Sequence, residues 1–168
     1  MVRAAGDSGA DSFWSRRMLE WTIVLAVVLA VTLLLIRQAN VVKGQAELAA
    51  IRSTLAALRT ALVIDHLQRS AAQADSPVAV EQLNPFLLLQ NRMPNYAGVM
   101  ASREVEALRP GTWMFAPDCA CLAYRPLDDA WFFSPDGSGV AWFEVSAPPG
   151  PLLVSARAAY RWQDDLIQ

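Results

Sequence analysis

The longest apolar stretch of the chain runs from Met18 to Ile36 and contains one ionisable side chain, Glu20. At about 1.5 Å per residue, a helix from Trp21 to Ile36 covers roughly 24 Å, and the two preceding apolar residues bring it close to the roughly 30 Å of a bilayer's hydrocarbon core. We therefore predict a transmembrane helix over residues 16–37. Five side chains are expected to anchor it in lipid: Trp21, Leu25, Leu29, Leu33 and Ile36.

Two other kinds of segment share this composition, a cleavable signal peptide and the buried helix of a soluble protein. A signal peptide has a shorter apolar stretch followed closely by a small-residue cleavage site. Residues 37–43 offer no convincing site of that kind. Helices that are apolar on every face are rare inside chains this small. We favour an uncleaved membrane anchor.

Charge on either side of the span predicts its orientation. Three arginines precede it, whereas Arg37 and Lys43 follow it. The positive-inside rule then favours a cytoplasmic N-terminus, with the C-terminal part on the other side of the membrane. Residues 1–15 are rich in Gly, Ser, Asp and Ala without periodicity, and we predict a flexible cytoplasmic leader there.

Beyond the span, apolar residues recur at alternating spacings of three and four, which is typical of an amphipathic helix. The stripe consists of Leu48, Ile51, Leu55, Leu58 and Leu62. No proline interrupts the chain before Pro77, so we predict one nearly continuous helix from about Arg16 to about Ala72, with a bend at Gly44 and its amphipathic part over residues 38–74. Either a partner helix in a coiled coil or the chain's own C-terminal region must cover the stripe.

The C-terminal region supplies a cover because its hydrophobic period changes to two. Apolar and β-branched residues dominate the stretches 112–115, 121–124, 130–133, 140–145 and 152–162, which are separated by Pro, Asp and Gly turns. We predict an antiparallel meander of four or five strands that packs on the helix stripe, giving an α+β domain over residues 75–168. Residues 71–110 are predicted to be irregular, apart from one or two helical turns at 102–108 that Ser102 caps.

Composition excludes several function classes. The net charge is −2 and no basic stripe is visible, so nucleic acid is not indicated as a partner. The chain has one histidine and no grouping of a nucleophile with a base, so we do not expect an enzyme, and we expect neither a cofactor nor a metal.

Cys119 and Cys121 are the two cysteines of the chain. A zinc site needs four ligands, and redox pairs usually have two residues between the cysteines rather than one. We favour a structural disulfide or two free thiols at a turn. Calcium is a remote alternative, because aspartates also fall in the predicted turns, where backbone roles are usual. Those aspartates are Asp118, Asp128, Asp129 and Asp136.

Glu20 supports two interpretations. It can lie at the membrane interface beside Arg16, Arg17 and Trp21 and remain hydrated. Alternatively, it can meet a positive group inside a membrane assembly, such as the amine or a basic side chain of a neighbouring subunit. The chemistry of the residue alone does not separate the two.

The pattern resembles the type IV pilin-like family, which includes the pseudopilins of type II secretion systems. The resemblance rests on Met18-Leu19-Glu20 at the start of the apolar run, on the amphipathic continuation of the helix and on the predicted sheet that follows. It also rests on motifs at Asn84-Pro85-Phe86, 94–98, 110–115 and 122–126. The resemblance implies a minor pilin-like subunit, with Glu20 as an assembly residue. It also implies a single-pass protein of the bacterial inner membrane, with a periplasmic C-terminal domain and pilin-like subunits and inner-membrane assembly proteins as partners.

One position departs from the family pattern. Family precursors are cut after a glycine shortly before the glutamate, whereas Ser15-Arg16-Arg17 stands there in this chain. An unprocessed, membrane-anchored accessory protein that binds pilus or secretion components is therefore a second hypothesis. A periplasmic thiol or disulfide protein that uses Cys119 and Cys121 is a third.

Overall fold

The computed structural model describes residues 8–71, 84–146, 153–163 and 165–167, with side chains from residue 16 onward. The chain forms two compact units, residues 1–43 and residues 44–168. The amphipathic part of the long helix thus belongs to the same unit as the strands.

One α-helix, α1, extends over Ser8–Ala71. Within the described residues it covers the predicted range from Arg16 to Ala71 without interruption, and it also includes residues 8–15, where a flexible leader was predicted. No proline interrupts residues 8–15, and extending a helix that has already formed costs little. Residues 1–7 lie outside the described part of the chain.

The second unit contains a mixed sheet of five strands and a smaller antiparallel sheet. The first has the order β1-β2-β3-β5-β6, formed by Tyr96–Val99, Thr112–Ala116, Cys121–Arg125, Ala141–Val145 and Val154–Ala156. The second has the order β4-β7-β8, formed by Phe132–Phe133, Tyr160–Trp162 and Asp165–Ile167. Together with α1 they confirm the predicted α+β class.

The predicted meander is only partly correct. Strands β2, β3, β5 and β6 pair antiparallel, but β1 lies parallel to β2 and comes from the region predicted to be irregular. The stretch 152–162 is two strands in different sheets, because the chain leaves β6 after Ala156 and pairs again only at Tyr160. The stretch 130–133 contributes only the two residues of β4, which pair with β7 rather than extending the large sheet.

The described residues include three short 3-10 helices, over Pro85–Leu88 before β1, Ser102–Ala107 between β1 and β2, and Asp129–Trp131 between β3 and β4. The first is capped by Asn84, whose side chain accepts a hydrogen bond from the Phe86 amide. The prediction that Ser102 caps its helix is wrong. Ser102 is the first helical residue, and its amide and hydroxyl both donate to the Asp118 carboxylate, a partner that lies sixteen residues away in sequence.

At its outer edge, the large sheet contacts α1 through a side chain. The Arg59 Nε atom donates a hydrogen bond to the carbonyl oxygen of Val154 in β6, at 3.1 Å. Strand β6 follows β5 in the sheet order and has no further strand beyond it among the described residues. An edge carbonyl therefore has a partner on the helix.

Candidate functional site

The apolar segment of the first unit is exposed along its whole length. The predicted anchors are Trp21, Leu25, Leu29, Leu33 and Ile36, whose exposed fractions lie between 54% and 71%. The mean hydropathy over 18 residues reaches 2.6, and by length and composition this part of α1 could cross a membrane. These side chains therefore present a continuous apolar surface that the described part of the first unit does not cover.

Glu20 lies within this apolar segment and is exposed. Arg16 precedes it by four residues, a spacing that places the two opposite charges on the same face of α1. The carboxylate is therefore accessible to a positively charged group outside the chain, and Arg16 places one positive charge of the same chain near it.

In the second unit, the leucine stripe is buried. Leu48, Ile51, Leu55, Leu58 and Leu62 are at most 5% exposed. They belong to one core cluster with aromatic residues of both sheets, among them Trp113, Phe143, Tyr160 and Trp162. Two covers for the stripe were considered, a partner helix and the chain's own sheet. The strands of the chain itself cover it.

Gly44 begins the contact between α1 and the small sheet. Its carbonyl oxygen accepts a hydrogen bond from Trp162 Nε1 at 2.8 Å. A Cβ atom at this position would lie 2.8 Å from Gln163 Nε2 and 3.1 Å from the Trp131 ring. The α1 helix is continuous through Gly44, and the bend predicted there stays a prediction. The missing side chain at Gly44 permits the close packing.

Glu47 is a buried carboxylate in the amphipathic part of α1. It is 7% exposed, and its Oε1 atom accepts hydrogen bonds from the Tyr124 hydroxyl at 2.7 Å and the Leu127 amide at 2.8 Å. Burial raises the pKa of Tyr124, and the hydrogen bond and negative charge of Glu47 raise it further. Its spacing of four from Ile51 places Glu47 within the stripe, which was the available signal.

The two cysteines form a disulfide bond, with their Cα atoms 5.2 Å apart. Cys119 is exposed, whereas Cys121 is fully buried at the start of β3. The bond closes the turn between β2 and β3, so its position is that of a crosslink within a hairpin.

Three of the four turn aspartates accept hydrogen bonds from neighbouring serine or backbone groups. Asp118 accepts from Ser102, Asp128 accepts from the Ala130 amide, and Asp136 accepts from the Ser134 hydroxyl and the Ser138 amide. Hydrogen bonds from the serine side chains lower the pKa of Asp118 and of Asp136. Within the described ranges, no cluster of three or more His, Cys, Asp or Glu residues is arranged to hold a metal ion.

No protein-family model matches the chain, and neither a curated protein nor a solved structure matches it significantly.

Proposed function

We propose that this chain is a minor pilin-like or pseudopilin subunit of a type IV pilus or a type II secretion apparatus, which assembles through its N-terminal helix in the bacterial inner membrane. One observation supports the proposal most. The same helix, α1, carries an uncovered apolar segment at residues 18–36 and the buried stripe of a folded domain at residues 48–62. Such a chain joins an apolar helical segment to a folded domain.

The uncovered segment requires an apolar environment. Burying a single large aliphatic side chain is worth about 1.5–3 kcal/mol, and this segment exposes more than a dozen of them. Lipid satisfies this requirement in the membrane, and the apolar helices of neighbouring subunits satisfy it in a bundle. A protein that transfers from one environment to the other suits pilus assembly or protein transport across the cell envelope.

Glu20 is the residue that would distinguish an assembling helix from a simple anchor. A carboxylate near the end of an apolar helix costs little while it stays at the membrane interface. In a bundle, it can pair with the amine or a basic side chain of a neighbouring subunit, which would fix the axial position of the two helices. Its exposure in the single chain leaves it available for that contact.

The test is co-purification of partner subunits with a Glu20→Ala variant from solubilised membranes. We expect normal membrane insertion and a clearly reduced recovery of partners. Glu106→Ala, which removes an exposed acid from the second unit, is the matched control and should leave recovery unchanged. Unchanged recovery with Glu20→Ala would contradict an assembly role for this residue.

A second candidate is an unprocessed, membrane-anchored accessory protein that binds pilus or secretion components. Ser15-Arg16-Arg17 in place of the family's glycine favours it. N-terminal sequencing of the membrane-extracted protein separates the two candidates, because an intact start at Met1 or Val2 supports the accessory protein and a new start shortly before Glu20 supports a processed subunit.

The third hypothesis, a periplasmic thiol or disulfide protein, has less support because Cys121 is fully buried. It predicts that a double Cys119→Ser, Cys121→Ser variant loses function. Normal secretion or piliation with that variant would refute it.

A further inference from the structure

The turn between β2 and β3 contains an unusual backbone conformation inside a covalent ring. Ala120 lies between the two bonded cysteines and has a φ angle of 50°, in the left-handed region that residues with a Cβ atom rarely adopt. Such a conformation persists only when its surroundings hold it. The disulfide joins the residues on either side of Ala120, so it restricts the backbone where the unfavourable angle occurs.

Two neighbouring segments are attached to the same turn. The Asp118 carboxylate accepts hydrogen bonds from the amide and hydroxyl of Ser102, the first residue of the 3-10 helix Ser102–Ala107. The carbonyl oxygen of Ala120 accepts a hydrogen bond from the amide of Val145, the last residue of β5, at 3.0 Å. One short turn thus supplies hydrogen-bond acceptors to two other segments.

We propose that the Cys119–Cys121 disulfide is a redox-sensitive lock, which holds this turn and, through it, the start of the 3-10 helix and the end of β5. Cys119 is the exposed cysteine of the pair, so its sulfur is the point of attack for a dithiol reductant. Its thiolate forms a bond to Cys119 Sγ, the S–S bond breaks, and Cys121 leaves as a thiolate that takes up a proton. The second thiol of the reductant then releases Cys119 as a thiol and closes its own disulfide, so two electrons pass from the dithiol to the protein.

Reduction should loosen these three places and leave the rest of the second unit folded. The β2–β3 hairpin keeps its five paired positions and its buried core residues without the crosslink. Ala120, however, loses the ring that restricts it and can leave the left-handed region, which removes the acceptor of the Val145 amide. Displacement of Asp118 likewise releases Ser102.

Amide hydrogen exchange on the full chain in detergent tests the proposal, with the disulfide intact and after reduction by dithiothreitol. We expect exchange at Ser102 and Val145 to accelerate about tenfold on reduction, the scale set by releasing one strained residue. The amides of the β7–β8 hairpin are the internal control and should not change. Unchanged exchange at Ser102 and Val145 would overturn the proposal, and so would an equal acceleration in β7–β8, which would indicate global loosening.

Two glycine variants provide a matched pair for the second measurement. Ala120→Gly permits the left-handed conformation without the ring, so reduction should accelerate exchange at Val145 much less than in the unmodified chain. Gln163→Gly makes the same change at the other described residue with a Cβ atom and a positive φ, 54°, which lies outside the ring. It should leave the response to reduction unaltered. Equal responses of the unmodified chain and the Ala120→Gly variant would show that the disulfide does not act through Ala120.

Discussion

Two parts of one helix show how the arrangement of apolar residues, rather than their presence, decides what covers them. In residues 18–36, apolar side chains occur on every face of α1 and are exposed in the first unit. In residues 44–62, they occupy one stripe, and strands of the same chain bury it. The backbone is α-helical in both. One sheet can cover a narrow stripe, whereas a helix that is apolar on every face requires an apolar environment on all sides, such as lipid.

The largest expected difference between the two parts is the cost of shortening a leucine. Leu58 is fully buried, so Leu58→Ala should lower the free energy of unfolding of residues 44–168 by about 2–5 kcal/mol. Leu29 is 59% exposed, so Leu29→Ala should change it by less than about 0.5 kcal/mol. Urea denaturation in detergent, followed by tryptophan fluorescence, measures both. Equal losses would show that the two parts do not differ as the structure indicates.

The next expected effect concerns the close contact at Gly44. A leucine there would displace Gln163 and Trp131, at a cost of about 1–3 kcal/mol in the free energy of unfolding. The gain in helix propensity is below about 1 kcal/mol and does not compensate. Ala50→Leu, at an exposed position of the same helix, is the control and should be nearly neutral. Thermal unfolding of the two variants decides the matter, and a stable Gly44→Leu protein would show that this contact is dispensable.

Each part of the helix also contains one notable glutamate, and the two should respond differently to alanine. Glu47→Ala leaves the buried Tyr124 hydroxyl without its acceptor, which should cost about 1–3 kcal/mol of stability. Glu20→Ala should not change the stability of residues 44–168, because Glu20 is exposed in the other unit. Chemical denaturation of both variants measures the contrast. A loss with Glu20→Ala as large as with Glu47→Ala would contradict it.

The smallest expected effect is specific to the second unit and concerns its unfolding at alkaline pH. All three tyrosines lie in that unit, and burial raises the pKa of Tyr96, Tyr124 and Tyr160. The unfolded chain releases these protons first, near pH 10, so the contribution of the tyrosines to the stability of the second unit should be complete below about pH 9 and be lost as the pH rises above about 10. Absorbance at 295 nm reports tyrosine ionisation.

Far-ultraviolet circular dichroism provides the control for that experiment, since the first unit contains no tyrosine. Its helical signal should persist after the sheets unfold. Tyrosine ionisation near pH 10 without any loss of sheet structure would show that the three hydroxyl groups do not stabilise the fold.

Local periodicity predicted much of this architecture. The spacing of Leu48 to Leu62 indicates a one-faced helix, and the alternation at 112–115 and 121–124 indicates strands, because each pattern repeats over several residues. Strand β1 was not predicted, because Tyr96–Val99 is short and because its pairing with β2 depends on residues distant in sequence. The same reason explains why the stretch 152–162 divides between two sheets.

The candidate site divides in the same way. Glu20 can be singled out from the sequence because an acid in an apolar run is conspicuous, and its assembly role stays a prediction. The position of Glu47 within the stripe is also visible in the sequence, but only the tertiary fold brings Tyr124 and Leu127 to it. The left-handed angle at Ala120 has no signal in the sequence either, because alanine is not a residue that favours positive φ angles.

The hydrogen bond between Arg59 and Val154 has a consequence for crowded surroundings. Subunits that accumulate side by side bring the edges of their sheets close together, and free edge groups then promote strand pairing between molecules. Because the Val154 carbonyl already has an intramolecular donor, an incoming strand would have to displace a cation from it. At Val154, strand β6 is thereby a poorer template for pairing with a strand of another molecule.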